Sequence, residues 1–240
     1  MTPSNPWVEG DMRFEDRHHA GRLLAKALAH YASRRPWVLG LPRGGVPVAY
    51  EVAETLGAPL DVCVVRKLGV PFQPELGMGA IAEGPSLWLN RDIVEMIRIS
   101  DREIMRAVRR EARVVRRRVA LFRSGRPPPD VRDHVVILVD DGIATGGTTR
   151  AAIKAMRKRG ARHLALAVPV AAPEIIQSLR PEVDDLVCLH APRALWAIGM
   201  WYRDFTQVPD EEVIRLLERA RGREARREAR AAPEPPSTSA

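Results

Sequence analysis

One continuous stretch, His134 to Ala161 (HVVILVDDGIATGGTTRAAIKAMRKRGA), constrains this chain most: an apolar strand, a glycine-rich turn and a helix follow one another without a gap. Val136 to Val139 read as a strand buried on both faces. They run into two adjacent carboxylates, Asp140 and Asp141, and then into the loop Ala144, Thr145, Gly146, Gly147, Thr148, Thr149. Its glycines let backbone N–H groups approach an anion closely. The following helix starts at about Gly147, so its unsatisfied N–H groups and positive dipole end face the same loop. A phosphate monoester suits that concavity, and the threonine hydroxyls add donors. The acidic pair repels phosphate and calls instead for hydroxyl groups or a hard cation. A phosphorylated sugar offers both kinds of group, one at each end of the loop.

Two phosphate-binding motifs compete with this reading and fail. Gly142 and Gly147 have G-x-x-x-x-G spacing, yet Thr148 stands where the triphosphate loop requires Lys, and no G-x-G-x-x-G fingerprint is present. A purely structural turn leaves two successive acids at a strand end unexplained, because adjacent like charges are costly without partners.

The rest of the chain repeats the strand-then-helix alternation. A helical pattern over residues 12–35 (Ala20, Leu23, Leu24, Ala27, Leu28, Tyr31) stops at Pro36, and WVLGL then reads as a buried strand before the turn PRGG and a second helix closed by Gly57. PLDVCVVRKLG reads as strand and loop, GAIAEG with SLWLN as a strand or hairpin, and HLALAVPVA and DDLVCLHAP as two further strands. Asn90 is a helix cap, and Ser100 with Glu103 makes a capping box for an arginine-rich helix ending at Gly125. The fold class expected is α/β, a Rossmann-like, mostly parallel sheet flanked by helices. Ligands then collect at the carboxyl ends of the strands, where PRGG, RKLG and DDGIATGGTT converge.

With 240 residues and no clear linker before residue 220, one domain over 1–221 is expected, followed by a disordered tail at 222–240 that ends in PEPPSTSA. No run approaches the roughly 20 apolar residues of a membrane span, and the first residues lack a signal-peptide pattern, so a cytoplasmic location is expected. Cys63 and Cys188 sit in apolar runs and read as buried thiols rather than a disulfide or metal site. The net charge of +8 invites a nucleic-acid reading. Much of the excess, however, lies on residues 101–122, where Ile104, Val108, Ala112, Val115, Val119 and Phe122 recur at helical spacing and the arginines occupy other faces. That describes an amphipathic helix with a solvated arginine face, so nucleic acid is the less favoured partner.

VILVDDGIATGGTT resembles the signature that binds phosphoribosyl pyrophosphate (PRPP) in type I phosphoribosyltransferases, and the resemblance extends over roughly residues 10–215. LPRGGVPVA at 41–49 is similar to that family's pyrophosphate loop, and VRKLG at 65–69 to the strand end whose basic residues meet the diphosphate. With PELGMGAIAEG, these segments make the chain most similar to stand-alone bacterial members of the family. The resemblance implies Mg²⁺ as cofactor, PRPP and a small-molecule acceptor as partners, and a homodimer. It implies the type I fold with a small C-terminal hood at about 186–210 and a mobile loop within GVPFQPELGMGAIAEG, whose carboxylates are Glu75 and Glu83.

By the same resemblance, Asp140 and Asp141 are the catalytic and metal-binding acids at the ribose hydroxyls, and Ala144 to Thr149 cradle the 5′-phosphate. Arg43, Gly44 and Gly45 line the diphosphate, with Arg66 and Lys67 adding catalytic cationic charge there. Trp196 and Ile198 belong to the base pocket. Trp196 stands where an aromatic ring usually stacks on the base, and a tryptophan there can equally pack in the core. Ala144 replaces the aspartate of the hypoxanthine-guanine enzymes and AVPVAAPE lacks their purine-reading lysine, which makes those two bases poor candidates. The reaction implied is transfer of a phosphoribosyl group to a nitrogenous acceptor. The alternative is a PRPP-sensing regulator of RNA or DNA without transferase activity.

Overall fold

The computed structural model describes residues 13–84 and 86–231. Five parallel strands form the central sheet in the order β2-β1-β6-β7-β8. They are β1 (Trp37–Gly40), β2 (Leu60–Val62), β6 (Val135–Val139), β7 (His163–Val170) and β8 (Asp185–His190). The cause lies in their sequences: every residue of β6 is buried, and Ile137 and Val139 join one apolar cluster while Val136 and Leu138 join another on the opposite face. A strand buried on both sides needs a helix layer on each. Helices α1 (Arg17–Ala27), α2 (Gly45–Leu56), α4 (Asp101–Arg123) and α7 (Asp210–Ala231) contribute to the first layer, and α5 (Gly147–Lys158) and α6 (Pro173–Leu179) to the second.

From β1 the chain goes outward to β2, and from β6 it goes the other way to β7 and β8, so strand order reverses between β1 and β6. Both strand ends at this switch point carry the turns singled out from the sequence. Leu41 N donates to Val139 O at 2.8 Å, which holds the two turns together.

A second sheet, antiparallel, contains β3 (Val65–Val70), β4 (Gln73–Ala82) and β5 (Ser86–Leu89), followed by α3 (Arg91–Ile97). Here the expectation of a mobile loop within GVPFQPELGMGAIAEG is corrected, since residues 73–78 run without a break into the strand expected at GAIAEG and form β4 with it. Its small residues disguised the strand but are what the pairing needs. A methyl group at Gly69 would lie 2.8 Å from Pro74 Cα, and one at Gly79 3.0 Å from a Leu89 methyl. SLWL pairs back on β4 as the hairpin expected. Asn90 caps α3, and the capping box of Ser100 and Glu103 opens α4.

The tail expected from Gly222 is also corrected, because α7 continues to Ala231. Arg and Ala in RGREARREAR are good helix formers, and Val213, Leu216, Leu217 and Ala220 anchor the helix upstream. Arg223 and Arg227 also donate to the carbonyls of Ala58 and Gly57. Residues 232–240 of that tail lie outside the described residues. The helical pattern expected over 12–35 divides into α1 and a 3-10 helix, Ala29–Arg34. Cys63 is buried and Cys188 half-buried, both as free thiols. Among the described residues no helix is long and apolar enough to cross a membrane.

Arg123 is the largest fully buried side chain, 1% exposed. Its guanidinium donates to Asp61 at 3.1 Å, to Glu83 at 2.7 and 2.9 Å and to Val62 O at 2.8 Å. Arg159 reaches Glu83 as well, at 3.2 Å. Burial disfavours the charged guanidinium of Arg123, but its bonds to Glu83 and Asp61 outweigh that and hold its pKa above the usual arginine value. Glu83, a candidate carboxylate of the expected mobile loop, is therefore committed to a buried ion network.

Candidate active site

The acidic pair emerges from β6 at the switch point, and the two acids are not equivalent. Asp141 Oδ2 accepts from Arg17 Nε at 2.7 Å, with both side chains largely buried. Arg17 also donates to Thr206 O at 2.8 Å, and its guanidinium carbon lies 3.9 Å from the centre of the Phe205 ring. Tyr202 donates its hydroxyl to Asp141 O at 2.6 Å. Asp140 has no arginine on its carboxylate among the described residues, and its Oδ1 accepts from the N–H of Asp141. Burial, and then the charge of Asp141, push the pKa of Asp140 well above the usual carboxylate value. Two carboxylates facing one guanidinium leave a net negative charge that a hard cation or hydroxyl donors would offset. The pair thus fits Mg²⁺, although no cluster of three or more metal-ligating side chains occurs among the described residues.

The turn after β1 packs directly against these acids. A methyl group at Gly44 would lie 2.6 Å from Asp141 Cγ, and one at Gly45 2.7 Å from Val139 O and 2.9 Å from Asp140 Cα. Both glycines are required by this close approach of the two turns, whose own Pro42–Arg43 peptide is cis. Arg43 Nη1 lies 3.7 Å from Asp210 Oδ1 at the start of α7.

Beyond the pair, the loop Ala144 to Thr149 leads into α5. Gly146 is the N-cap with φ +76°, a conformation suited to glycine, and no side chain caps the helix. The first N–H groups of α5 are thus left for an external acceptor. Ala144 and Thr145 are exposed, Gly147 and Thr148 half-buried, and Thr149 is buried with its hydroxyl unpartnered. Trp88 of β5 packs on this helix start: a methyl group at Gly147 would lie 3.1 Å from its ring. The structure therefore brings Arg43, Gly44 and Gly45 together with Asp140 and Asp141, and sets the phosphate loop next in the chain.

The remaining site residues fall differently. Arg66 Nε pairs with Glu111 Oε2 of α4 at 3.2 Å. Lys67 is exposed and donates across its own hairpin to the carbonyl of Glu75. Ile198 abuts the start of the loop, since a methyl group at Gly142 would lie 2.6 Å from its Cγ2. Trp196 is 86% exposed, so core packing, one of the two roles its position allowed, does not apply. Asp204 in the hood accepts from Thr206 N and Oγ1 at 2.9 and 2.6 Å. The hood also pairs with the segment before α1: Phe14 N donates to Trp201 O, and Arg203 N to Phe14 O, both at 2.8 Å.

Sequence reasoning missed Arg17, Trp88 and the bond of Tyr202 to Asp141, though Tyr202 stands where a residue walls the pocket or fills the core. For Arg17 a signal existed: it stands in phase with Ala20, Gly21 and Leu24, which places a basic residue on the apolar stripe of α1. Nothing local marks the bond of Tyr202 to Asp141 O, 61 positions away. A separate cavity of about 560 Å³, lined by residues of α4 and the end of β4 together with Arg126, Pro128 and Arg159, contains neither acid and no residue of the phosphate loop.

Residues 15–200 match the phosphoribosyl transferase domain family. A protein of Mycobacterium tuberculosis H37Rv, provisionally named a phosphoribosyl transferase, is 48% identical over 208 residues, 86% of this chain and 47% of that protein. The chain thus spans about half the length of the curated relatives it matches over most of its own. A uracil phosphoribosyltransferase of Lactobacillus gasseri is 48% identical over 60 residues, 24% of this chain and 29% of that enzyme. Among solved structures, the protein TT1426 of Thermus thermophilus superposes with a TM-score of 0.73 at 44% identity, covering 85% of this chain and 97% of that one.

Proposed function

Because the chain belongs to the phosphoribosyl transferase family, we propose that it moves a phosphoribosyl group from PRPP to a nitrogenous acceptor and releases diphosphate, in the cytoplasm and as a homodimer. The observation that carries the reading is the uncapped start of α5 beside an acidic pair with only one arginine between them. Anion donors and hydroxyl acceptors stand there in the order a ribose 5-phosphate requires. In this reading Ala144 to Thr149 hold the 5′-phosphate with main-chain N–H groups and hydroxyls. Asp140, with the oxygen of Asp141 not used by Arg17, accepts from the ribose 2′ and 3′ hydroxyls.

Arg43, Gly44, Gly45 and Arg66 serve the diphosphate end, where preorganised positive charge stabilises the departing group. Lys67 joins them only by leaving the Glu75 carbonyl. Asp140 and Asp141 would hold Mg²⁺, which when bound would supply positive charge that stabilises the departing diphosphate. Ile198, and Trp196 with its ring in solvent, form the acceptor side. Arg17 neutralises Asp141 and ties the hood to the ribose end, so one side chain sets both the charge of the pair and the position of the acceptor wall.

Calorimetric titration with PRPP and Mg²⁺, followed by a diphosphate-release screen over purines, pyrimidines and small amines, tests the proposal. Binding in the micromolar range of substrates is expected, abolished in Asp140→Asn with Asp141→Asn. A wild type that ignores PRPP, or a double variant that binds it as well as wild type, overturns it. The exposed arginines of α4, among them Arg106, Arg109, Arg113 and Arg117, favour a second reading as a PRPP-sensing RNA- or DNA-binding regulator. Salt-sensitive nucleic-acid affinity in the absence of diphosphate release with any acceptor selects that reading.

A further inference from the structure

Besides the fully buried Arg123 at its end, one more arginine of α4 does not belong to the solvated face. Arg109, Arg113, Arg116 and Arg117 are exposed, but Arg118 is half-buried. It follows Glu111 and Val115 on one side of the helix, the side that meets β3 through the Glu111–Arg66 pair. Its electrostatic neighbours are Arg66, Asp210, Arg43 and Arg117.

Of the carboxylates of this neighbourhood, Glu111 is hydrogen-bonded, while Asp210 Oδ1 is buried without a hydrogen-bond partner and makes only a long ion pair with Arg43. Glu111 accepts from Arg66 at 3.2 Å and from Arg110 at 3.0 Å, and Asp210 lies 3.7 Å from Arg43. Arg118 makes no hydrogen bond or ion pair among the described residues. A half-buried guanidinium beside two others, with no acceptor bonded to its own N–H groups, is an unfavourable arrangement that an anion would reverse. Burial, and then the charge of Arg66, accordingly hold its pKa below the usual arginine value.

We propose that Arg118 is a third contact for the diphosphate end of the substrate, completing with Arg43 and Arg66 an anion site drawn from the turn after β1, strand β3 and helix α4. The inference rests on the reading of the chain as a PRPP-binding protein and adds a residue to it. It also gives the arginine-rich helix a function at one position, while Arg109, Arg113, Arg116 and Arg117 remain solvated. A diphosphate places oxygens on two phosphorus centres and can accept from several guanidinium groups at once, which orthophosphate does less well.

The experiment is calorimetry of the full chain with inorganic pyrophosphate, orthophosphate and ribose 5-phosphate, on wild type, Arg118→Gln, Arg118→Lys and Arg113→Gln. Arg118→Gln is expected to weaken pyrophosphate by at least about tenfold, the loss of one charge-assisted bond, while ribose 5-phosphate binds as before. Lysine should restore part of the affinity, and Arg113→Gln should change neither ligand. Pyrophosphate affinity unchanged in Arg118→Gln, or lowered equally by Arg113→Gln, overturns the assignment of Arg118 while ribose 5-phosphate binding leaves the wider reading intact. If wild type binds neither ribose 5-phosphate nor pyrophosphate, both fall together. Circular dichroism of each variant excludes loss of fold as the cause.

Discussion

Alanine at Gly44 is expected to damage the site from a position that makes no bond to ligand or acid through a side chain. The added methyl would lie 2.6 Å from Asp141 Cγ and 3.1 Å from Arg17 Nε, where an ordinary contact begins at 3.4 Å. The atom closest to the added methyl is Asp141 Oδ2, the acceptor of the 2.7 Å bond to Arg17, so the carboxyl must retreat by more than the 0.8 Å that Cγ alone requires (3.4 less 2.6 Å), and that bond does not survive the shift. Both side chains are roughly nine-tenths buried, so the pair is broken with little water to compensate it. A loss of ~3 kcal/mol follows, the lower end for breaking a buried ion pair, equivalent to a fall in Tm of roughly 6–12 °C for a chain of this size.

Gly125→Ala is the matched control. Gly125 has φ +77° and open space around a built methyl, so only backbone strain of ~1 kcal/mol operates there. Differential scanning calorimetry of both variants, with Gly44→Ala repeated in an Asp141→Ala background, gives the answer. Equal losses for Gly44→Ala and Gly125→Ala, or a Gly44→Ala loss undiminished without the Asp141 carboxylate, refute the reasoning.

Asp140→Asn should stabilise the metal-free protein. The raised pKa of Asp140 means that its contribution is fully favourable below the ordinary carboxylate pKa and is lost as pH rises through the raised value. The variant's advantage in Tm is thus expected near pH 7 and should shrink toward about pH 4; an advantage that grows on acidification contradicts it. Arg123→Met strands Asp61 and Glu83 in the interior, with only Arg159 left on Glu83, and should cost ~3–5 kcal/mol in urea unfolding. A cost under ~1 kcal/mol would mean that the network rearranges freely. Tyr202→Phe removes one bond to Asp141 O and should cost ~1 kcal/mol with ribose 5-phosphate affinity little changed. A large loss of that affinity would make the hydroxyl part of the binding surface.

What the sequence reveals of this protein follows the range of its interactions. β6, its loop and α5 are consecutive in the chain, so strand pattern, turn chemistry and helix start all appear in one window. The capping box of α4 is equally local and equally legible. The partners of the acidic pair are not, since Arg17 and Tyr202 stand 124 and 61 positions away from Asp141. The first part of strand β4, residues 73–78, was hidden because QPELGM carries little β-propensity, and tertiary pairing overrides propensity. The last ten residues of α7 were hidden for a related reason: their apolar content is too low for a core of their own, but they extend a helix already anchored. The exposure of Trp196 could not be read at all, because a tryptophan in an apolar stretch looks the same whether it faces the interior or a ligand.

The Arg17 clamp also orders events during synthesis. Arg17 leaves the ribosome before its carboxylate partner, which follows 124 positions later, and before the Thr206 carbonyl, 189 positions later. Closing loops of that length precedes any reward from the contacts they make, so this corner is expected to assemble last. A nascent chain that has emerged only as far as β7 already has strand β6 and helix α5, but its acids and its first helix still await the aromatic wall that completes the cage.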